Sequence, residues 1–164
     1  MSLLEMKHSI QKKKSEGKIF IGDNNKFNQF CNVNLPTNLR KKTIIGNNNY
    51  FMNSSTIDHD CIIEDNVILS SNCILGGNVR IMKNSQLGIG TTVHQNQILG
   101  SYVMIGMKTI ITKRINVKPG YVYYGKPAKM IKKNIIGLKR NKISSDILKK
   151  EYKRFSKLKI NNEK

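Results

Sequence analysis

The sequence predicts an all-β solenoid, in which short strands coil around one narrow core, followed by a short C-terminal α-helical segment. The main observation is periodic: every sixth residue from Ile21 to Val117 is apolar. A period of six fits neither the 3.6-residue turn of an α-helix nor the alternation of a single strand, but it suits short strands separated by corners. The residues of this register, called here the apolar column, are therefore expected to fill the core.

Two further positions of the repeat support the solenoid. The fourth residue after a column member is mostly small or β-branched, as a narrow interior requires, and this position holds Cys31, Cys61 and Cys73. We therefore expect reduced, buried thiols rather than disulfides or metal ligands. The third residue after the column belongs to types that tolerate a positive φ at a tight corner, and between residues 60 and 96 these are Asp60, Asn66, Asn72, Asn78, Asn84, Gly90 and Asn96.

The chain is predicted to form one repeat domain with a segment on either side. Residues 1–18 form a basic lead-in, residues 19–120 carry the hexapeptide repeat, and residues 121–164 form an extended exit segment and a C-terminal helix. The repeat weakens between Pro36 and Lys42, where a proline and several basic residues predict an excursion loop.

The C-terminal helix has its own sequence signals. Ser144 or Ser145 can cap its N-terminus. Leu148, Tyr152 and Phe155 form an apolar stripe at helical spacing. We expect this stripe to pack against the solenoid.

The composition constrains the partners. The 164 residues carry a formal net charge of +19, which would attract nucleic acid, anionic lipid, phosphorylated metabolites or an acidic carrier protein. The chain is rich in Lys, Asn and Ile throughout, and this general compositional bias explains the excess of Lys as well as a binding role does. No nucleic-acid motif is present and aromatic residues are few, so nucleic acid is not the expected partner. There is neither a membrane-spanning apolar stretch nor a secretory signal, so a cytoplasmic protein without an integral membrane segment is expected.

The six-residue pattern resembles the hexapeptide signature of the left-handed parallel β-helix. This resemblance implies a left-handed winding and three hexapeptides in each triangular coil. The repeat from Ile45 to Asn116 then makes four coils, and residues eighteen apart stack vertically. One outward column would contain His59, Gly77 and Gln95, with His94 beside it.

Four segments carry a more specific resemblance. Ile57–Cys61, Leu75–Val79, Thr92–Gln95 and Asn134–Arg140 occur in this order and at the proper spacing. Together they are similar to the acyl-carrier-protein-dependent UDP-N-acetylglucosamine O-acyltransferases, which catalyse the first step of lipid A biosynthesis. The match covers about residues 22–155 and implies transfer of a 3-hydroxyacyl-type group from acyl carrier protein to the sugar 3-position.

The resemblance also implies residue roles. His59 would be the general base, Asp60 would orient it or fill a plain corner role, and the Gly77 N–H would donate to the oxyanion. His94 and Gln95 would line the sugar-nucleotide pocket, with Asn78 at a position where the family has a histidine. Asn134 and Arg140 would contact the nucleotide. No tightly bound cofactor or metal is implied, and the family forms homotrimers with the active site between subunits.

The chain departs from the family at several positions. Thr56 and Asn78 stand where histidines are usual, Ile136 replaces a glutamate that holds the sugar nucleotide, and Asn141 replaces a basic residue. The match begins roughly halfway through the family's β-helix. The identity of the sugar acceptor is therefore left open.

Three other functions are considered. Gly125–Lys129 resembles the exit segment of sugar acetyltransferases that use coenzyme A, so acetyl-CoA is an alternative donor. A noncatalytic scaffold is the second alternative. Zinc chemistry is disfavoured because the repeat region contains only His59 and His94 as histidines.

Overall fold

Short parallel strands stack into three sheets that form the sides of a solenoid in the computed structural model, which describes residues 17–162. The first sheet contains β1 (Lys18–Ile21), β4 (Lys42–Ile45), β7 (Ile62–Ile63), β10 (Arg80–Ile81) and β13 (Ile98–Leu99). The second contains β2 (Lys26–Phe27), β5 (Tyr50–Phe51), β8 (Ile68–Leu69), β11 (Gln86–Leu87), β14 (Met104–Ile105), β16 (Tyr121–Tyr124) and β17 (Lys129–Lys133). The third contains β3 (Asn32–Val33), β6 (Thr56–Ile57), β9 (Ile74–Leu75), β12 (Thr92–Val93) and β15 (Ile110–Ile111).

The strand registers confirm the predicted vertical stacking. Ile45 pairs with Ile63, Ile63 with Ile81 and Ile81 with Leu99, each eighteen residues further along the chain. Four regular coils therefore run from β4 to β15. They are preceded by a longer coil, β1 to β3, in which Ile21 pairs with Ile45 because the excursion loop lies between β3 and β4.

The apolar column fills the core over the regular coils. From Ile45 to Val117 every member is at most 1% exposed. The expectation is wrong for Leu39, which is 64% exposed because it lies in the excursion loop, and for Ile21 and Phe27, which are 52% and 40% exposed. These two lie in the terminal coil, and within residues 17–162 no earlier coil covers them.

Every predicted corner residue has a positive φ. The angles lie between 57° and 67° for the residues from Asp60 to Asn96 that occupy this position. The same position of the repeat also has a positive φ at Phe30, Tyr102 and Lys108, although these residue types disfavour it. The coil geometry therefore imposes the corner conformation.

The cysteines are free thiols. Burial raises the pKa of the Cys61 thiol to about 12 and that of Cys73 to about 11, so both are protonated near neutral pH. Cys31 is partly buried in the terminal coil. The expectation of reduced interior thiols is confirmed for Cys61 and Cys73.

The C-terminal segment extends the solenoid and then covers one side of it. The strands β16 and β17 pair antiparallel at the end of the second sheet. A short helix that the sequence did not predict, α1 (Ile135–Arg140), follows. The expected helix is α2 (Ser145–Asn162); the Ser144 hydroxyl accepts a hydrogen bond from the Ile147 N–H at its start. Phe155 is buried against the first sheet, as the apolar stripe predicted.

Residues 1–16 of the predicted lead-in lie outside the described residues. No described helix is long and apolar enough to cross a membrane.

A buried carboxylate fastens α2 to the solenoid. The Glu151 side chain is 8% exposed, accepts a hydrogen bond from the Ser101 hydroxyl at 2.7 Å, and pairs with Lys83 Nζ at 2.9 Å. Burial raises the pKa of the Glu151 carboxyl, but the hydrogen bonds from Lys83 and Ser101 outweigh this effect and hold the pKa below its ordinary value. Arg154 contributes in the same direction and also pairs with Glu64.

We expect Glu151→Gln to lower the free energy of unfolding by about 1–3 kcal/mol at pH 7, because it removes the charge that Lys83 pairs with. The folded pKa of Glu151 lies below the unfolded value, so its contribution is complete above pH 4.5 and is lost as the pH falls through the folded value. Urea unfolding at several pH values should show the wild-type and variant curves converging at low pH. Asp146→Asn is the control because its ion pair with Lys149 is exposed. An equal loss in both variants would contradict the assignment.

Candidate active site

The candidate site lies at the corner where the third sheet passes into the first. Asp58, His59 and Asp60 form this corner, between β6 and β7. Asp60 has the corner conformation, with a φ of 63°. The His59 side chain is 38% exposed while that of Asp60 is 2% exposed, so the imidazole faces solvent and the carboxylate lies beneath it.

The two side chains form a hydrogen-bonded pair. His59 Nδ1 lies 2.9 Å from Asp60 Oδ2. An ionised carboxylate only accepts hydrogen bonds, so Nδ1 carries the proton in this pair. The neutral imidazole then has its lone pair on Nε2, the nitrogen that is available to a substrate.

The excursion loop surrounds the Asp60 carboxylate. The Thr37 N–H donates to Oδ1 at 3.0 Å, its hydroxyl donates to Oδ2 at 2.8 Å, and Lys41 Nζ lies 3.3 Å from Oδ2. Burial raises the pKa of the Asp60 carboxyl, but the hydrogen bonds from His59, Thr37 and Lys41 outweigh it and hold the pKa below its ordinary value. Asp60 is therefore ionised near neutral pH.

A second carboxylate fixes the backbone of the corner. Asp58 Oδ1 accepts hydrogen bonds from the His59 N–H at 2.8 Å and from Asn34 Nδ2 at 2.9 Å. Burial raises the pKa of the Asp58 carboxyl, and these bonds lower it by more. Negative charge thus lies on both sides of His59, which favours an imidazolium when one forms.

Gly77 lies directly under the imidazole. A Cβ at this position would lie 2.5 Å from His59 Nε2 and 2.8 Å from Nδ1, closer than atoms can approach. The Asn78 N–H donates to the His59 carbonyl at 2.8 Å, which ties the two coils together. Within residues 17–162, no acceptor bonds to the Gly77 N–H.

The predicted outward column exists. Ile57 pairs with Leu75 and Leu75 with Val93, so His59, Gly77 and Gln95 follow one another at successive levels. Gln95 and His94 are both exposed, and His94 Nδ1 lies 3.0 Å from the Gln95 carbonyl oxygen. Asn78 Nδ2 donates to Asn96 Oδ1 at 2.8 Å.

The two predicted nucleotide-contacting residues lie away from this corner and line a cavity. Asn134 and Arg140 border a cavity of about 700 Å³ between the outer face of the second sheet and the segment formed by β17 and α1. Asn134 also has a role that the sequence did not reveal: its Oδ1 accepts from the Gly137 N–H at the start of α1, and its Nδ2 donates to the Tyr102 carbonyl at 2.9 Å. Its side chain therefore holds α1 in place.

One chain does not bring the two groups of residues together. The His59 corner joins the third and first sheets, whereas the cavity with Asn134 and Arg140 lies on the second sheet. In a three-sided solenoid that sheet is opposite this corner. His59, Asp60, Gly77 and Gln95 thus form one cluster, and the predicted nucleotide-contacting residues form another.

Sequence reasoning missed the residues that hold Asp60. Thr37 and Lys41 were not singled out, and the one available signal for them was the break in the repeat at the excursion loop. Among the described residues, no three His, Cys, Asp or Glu side chains are grouped so that they could hold a metal ion.

We expect Gly77→Ala to displace the imidazole, because the added Cβ would overlap the ring atoms. The His59 resonances should shift in NMR spectra and the Nδ1 bond to Asp60 should weaken, while far-UV circular dichroism stays unchanged. Gln95→Ala, one coil further along the same column, is the control and should leave the His59 resonances in place. Unchanged His59 resonances in the Gly77→Ala protein would show that the ring does not occupy this position.

Known proteins resemble this chain in sequence. The family model of bacterial transferase hexapeptides, six repeats long, matches residues 42–77. The acyl-(acyl-carrier-protein)–UDP-N-acetylglucosamine O-acyltransferase of Syntrophobacter fumaroxidans is 44% identical over 143 residues, which are 84% of this chain and 55% of that protein. The enzyme of the same name from Thiobacillus denitrificans is 35% identical over 137 residues, 81% of this chain and 52% of that protein.

The fold agrees with this similarity. The crystal structure of Arabidopsis UDP-N-acetylglucosamine acyltransferase superimposes with a TM-score of 0.78 at 32% identity, over 82% of this chain and 46% of that chain. The left-handed winding of these neighbours is the one expected from the repeat. The chain spans about half the length of the curated relatives it matches. It is a hexapeptide-repeat relative of the acyl-(acyl-carrier-protein)–UDP-N-acetylglucosamine O-acyltransferases.

Proposed function

We propose that this protein transfers a 3-hydroxyacyl-type group from acyl carrier protein to the 3-hydroxyl of UDP-N-acetylglucosamine or a similar sugar nucleotide, the first step of lipid A biosynthesis. The observation that carries the proposal is the pair of His59 and Asp60 above the Gly77 backbone, with Nδ1 and Oδ2 2.9 Å apart. The relatives named for this reaction support it.

The chemistry follows from the arrangement. A sugar hydroxyl is a poor nucleophile near neutral pH, and His59 Nε2 removes its proton as the oxygen attacks the thioester carbonyl. The new C–O bond gives a tetrahedral oxyanion, which the Gly77 N–H stabilises. The C–S bond then breaks, and the imidazolium returns its proton to the departing thiolate of the phosphopantetheine arm. Asp60 stabilises the imidazolium between these steps.

The acceptor would be held by two sets of residues. Gln95 and His94 are exposed beside the Gly77 level and present polar groups to a sugar ring. Arg140 suits a diphosphate by charge and by its planar fork of donors, and it borders the cavity on the second sheet together with Asn134. Since Asn134 already caps α1, its contribution to the nucleotide site would come through the position of that helix.

The acceptor site is shared between copies in this proposal. A homotrimer would place the His59 corner of one copy against the second-sheet cavity of the next, and the resemblance to the acyltransferases supports that state. The basic surface of the chain suits docking of an acidic carrier protein. Because that carrier protein brings the acyl group as a substrate, the proposed transfer needs no tightly bound cofactor. We also propose a cytoplasmic location, because acyl carrier protein and sugar nucleotides are cytoplasmic reactants.

We expect His59→Ala to lower kcat by about 10²–10⁴-fold, because the general base is lost. Product formation should be followed by mass spectrometry. The donors are acetyl-CoA and acyl carrier protein loaded with 3-hydroxyacyl chains of several lengths. The contrasting variant is His94→Ala, which should raise the KM for the sugar nucleotide and leave kcat nearly unchanged. Turnover of acetyl-CoA alone would favour a sugar acetyltransferase, and no turnover with any donor would favour a noncatalytic scaffold.

We expect two inactive variants to complement one another if the site is shared. Arg140→Ala and His59→Ala proteins, mixed after reversible dissociation, should recover transfer because some interfaces pair an intact corner with an intact cavity. Light scattering should give a trimer mass for each variant and for the mixture. A monomeric mass, or trimers that mix without regaining activity, would contradict the shared site.

A further inference from the structure

We propose that Thr37 and Lys41 of the excursion loop are positioning residues, which fix the orientation and charge balance of the Asp60 carboxylate and through it the protonation of His59. The catalytic consequence rests on the proposed function, but the effect on His59 does not. Neither residue was assigned a role from the sequence, and neither is in the same coil as His59.

Thr37 fixes the orientation of the Asp60 carboxylate. Thr37 donates to both Asp60 oxygens, from its N–H to Oδ1 and from its hydroxyl to Oδ2. Two donors from one residue prevent the carboxylate from rotating, so the oxygen that faces His59 Nδ1 stays in place. The Asp60 side chain is 2% exposed, so water cannot readily supply these bonds if the loop is altered.

Lys41 affects the charge at the carboxylate oxygen that binds His59. Lys41 Nζ and His59 Nδ1 both approach Asp60 Oδ2, at 3.3 and 2.9 Å. A cation on the same oxygen offsets part of the negative charge that would stabilise the imidazolium, and it therefore favours the neutral base. Lys41 is half exposed, so solvent screens this effect and keeps it small.

The corresponding corners of the next two coils differ from the Asp60 corner. Asn78 and Asn96 occupy the corner position of Asp60 one and two coils further on, and the Asn78 side chain donates to that of Asn96. The terminal coil, by contrast, contains the excursion loop, and the side chains of Thr37 and Lys41 in this loop donate to the Asp60 carboxylate. Of these three corners, the loop therefore holds the one in which a histidine precedes the corner residue.

The charged and titratable groups around this pair are few among the described residues. Asp58 and Asp60 flank His59 on its own corner, and Lys41 approaches from the loop. Arg80 and Asp60 border the same small cavity. His94 is exposed beside the outward column of His59, Gly77 and Gln95. Of these groups, only Lys41 and His59 lie within ion-pair distance of Asp60.

The test is an NMR titration of the His59 imidazole in the full chain, together with acyl-transfer kinetics. The sequence has three histidines, so the His59 signals can be assigned by their loss in His59→Gln. Lys41→Met should move the His59 NMR titration and the acid limb of kcat to higher pH, because it removes the cation that offsets the charge of Asp60. Arg40→Met is the matched control, because it removes one positive charge from the same loop but its side chain makes no described hydrogen bond or ion pair.

Thr37→Val should lower kcat by roughly 2- to 10-fold with both KM values unchanged, because one hydrogen bond to the carboxylate is lost. It should also reduce the Nδ1–H tautomer of His59 in ¹⁵N spectra. Thr37→Ser keeps the hydroxyl and should restore both. Circular dichroism of each variant confirms folding.

The outcomes separate the two proposals. Identical His59 titrations in Lys41→Met, Arg40→Met and the wild type, with an unchanged tautomer in Thr37→Val, would overturn the positioning role even if the enzyme is active. The expected shifts in a protein without transferase activity would leave the positioning role intact and overturn the proposed function.

Discussion

The structure depends on one constraint: parallel coils of eighteen residues stack at the strand spacing of about 4.8 Å, so the backbone must turn a tight corner every six residues. That turn requires a positive φ at a fixed position of the repeat, and the chain adopts it even at Phe30, Tyr102 and Lys108. The corner then determines where neighbouring side chains point. His59 comes directly before such a residue, and its ring therefore projects from the corner over Gly77 of the next coil.

Asp60 satisfies two demands at once. It is the positive-φ residue of its corner, which Asp tolerates better than most residues, and its carboxylate binds the imidazole. The scaffold thus brings the carboxylate to the histidine at little additional cost in backbone strain. A corner Asn could turn the chain equally well, as Asn78 does, but its neutral amide would not stabilise an imidazolium in the same way. The two alternative roles that the sequence left open for Asp60 are therefore compatible.

The sequence predicted what repeats and missed what is particular to one place. The column, the corners, the interior thiols and the stacking of His59, Gly77 and Gln95 follow from a local period, because each coil repeats the last. The contacts of Thr37 with Asp60, the docking of Glu151 and the cap formed by Asn134 join residues that no period relates. Burial of Ile21 was predicted wrongly for a related reason: a column member is buried only when it is covered on both sides, by further coils or, as at Ile111, by the exit segment.

The position of the two residue clusters restricts any assembly that shares a site between copies. The His59 corner and the cavity beside Arg140 lie on opposite sides of the solenoid, so a single partner cannot meet both surfaces of one chain. A twofold dimer, whose single interface contains the same surface from each copy, would leave both clusters incomplete. A head-to-tail contact pairs the His59 corner of one copy with the Arg140 cavity of the next. Every corner and every cavity is paired only if these contacts close into a ring. Three copies form the smallest such ring, and a three-sided solenoid offers one side for each contact and leaves the first sheet for α2.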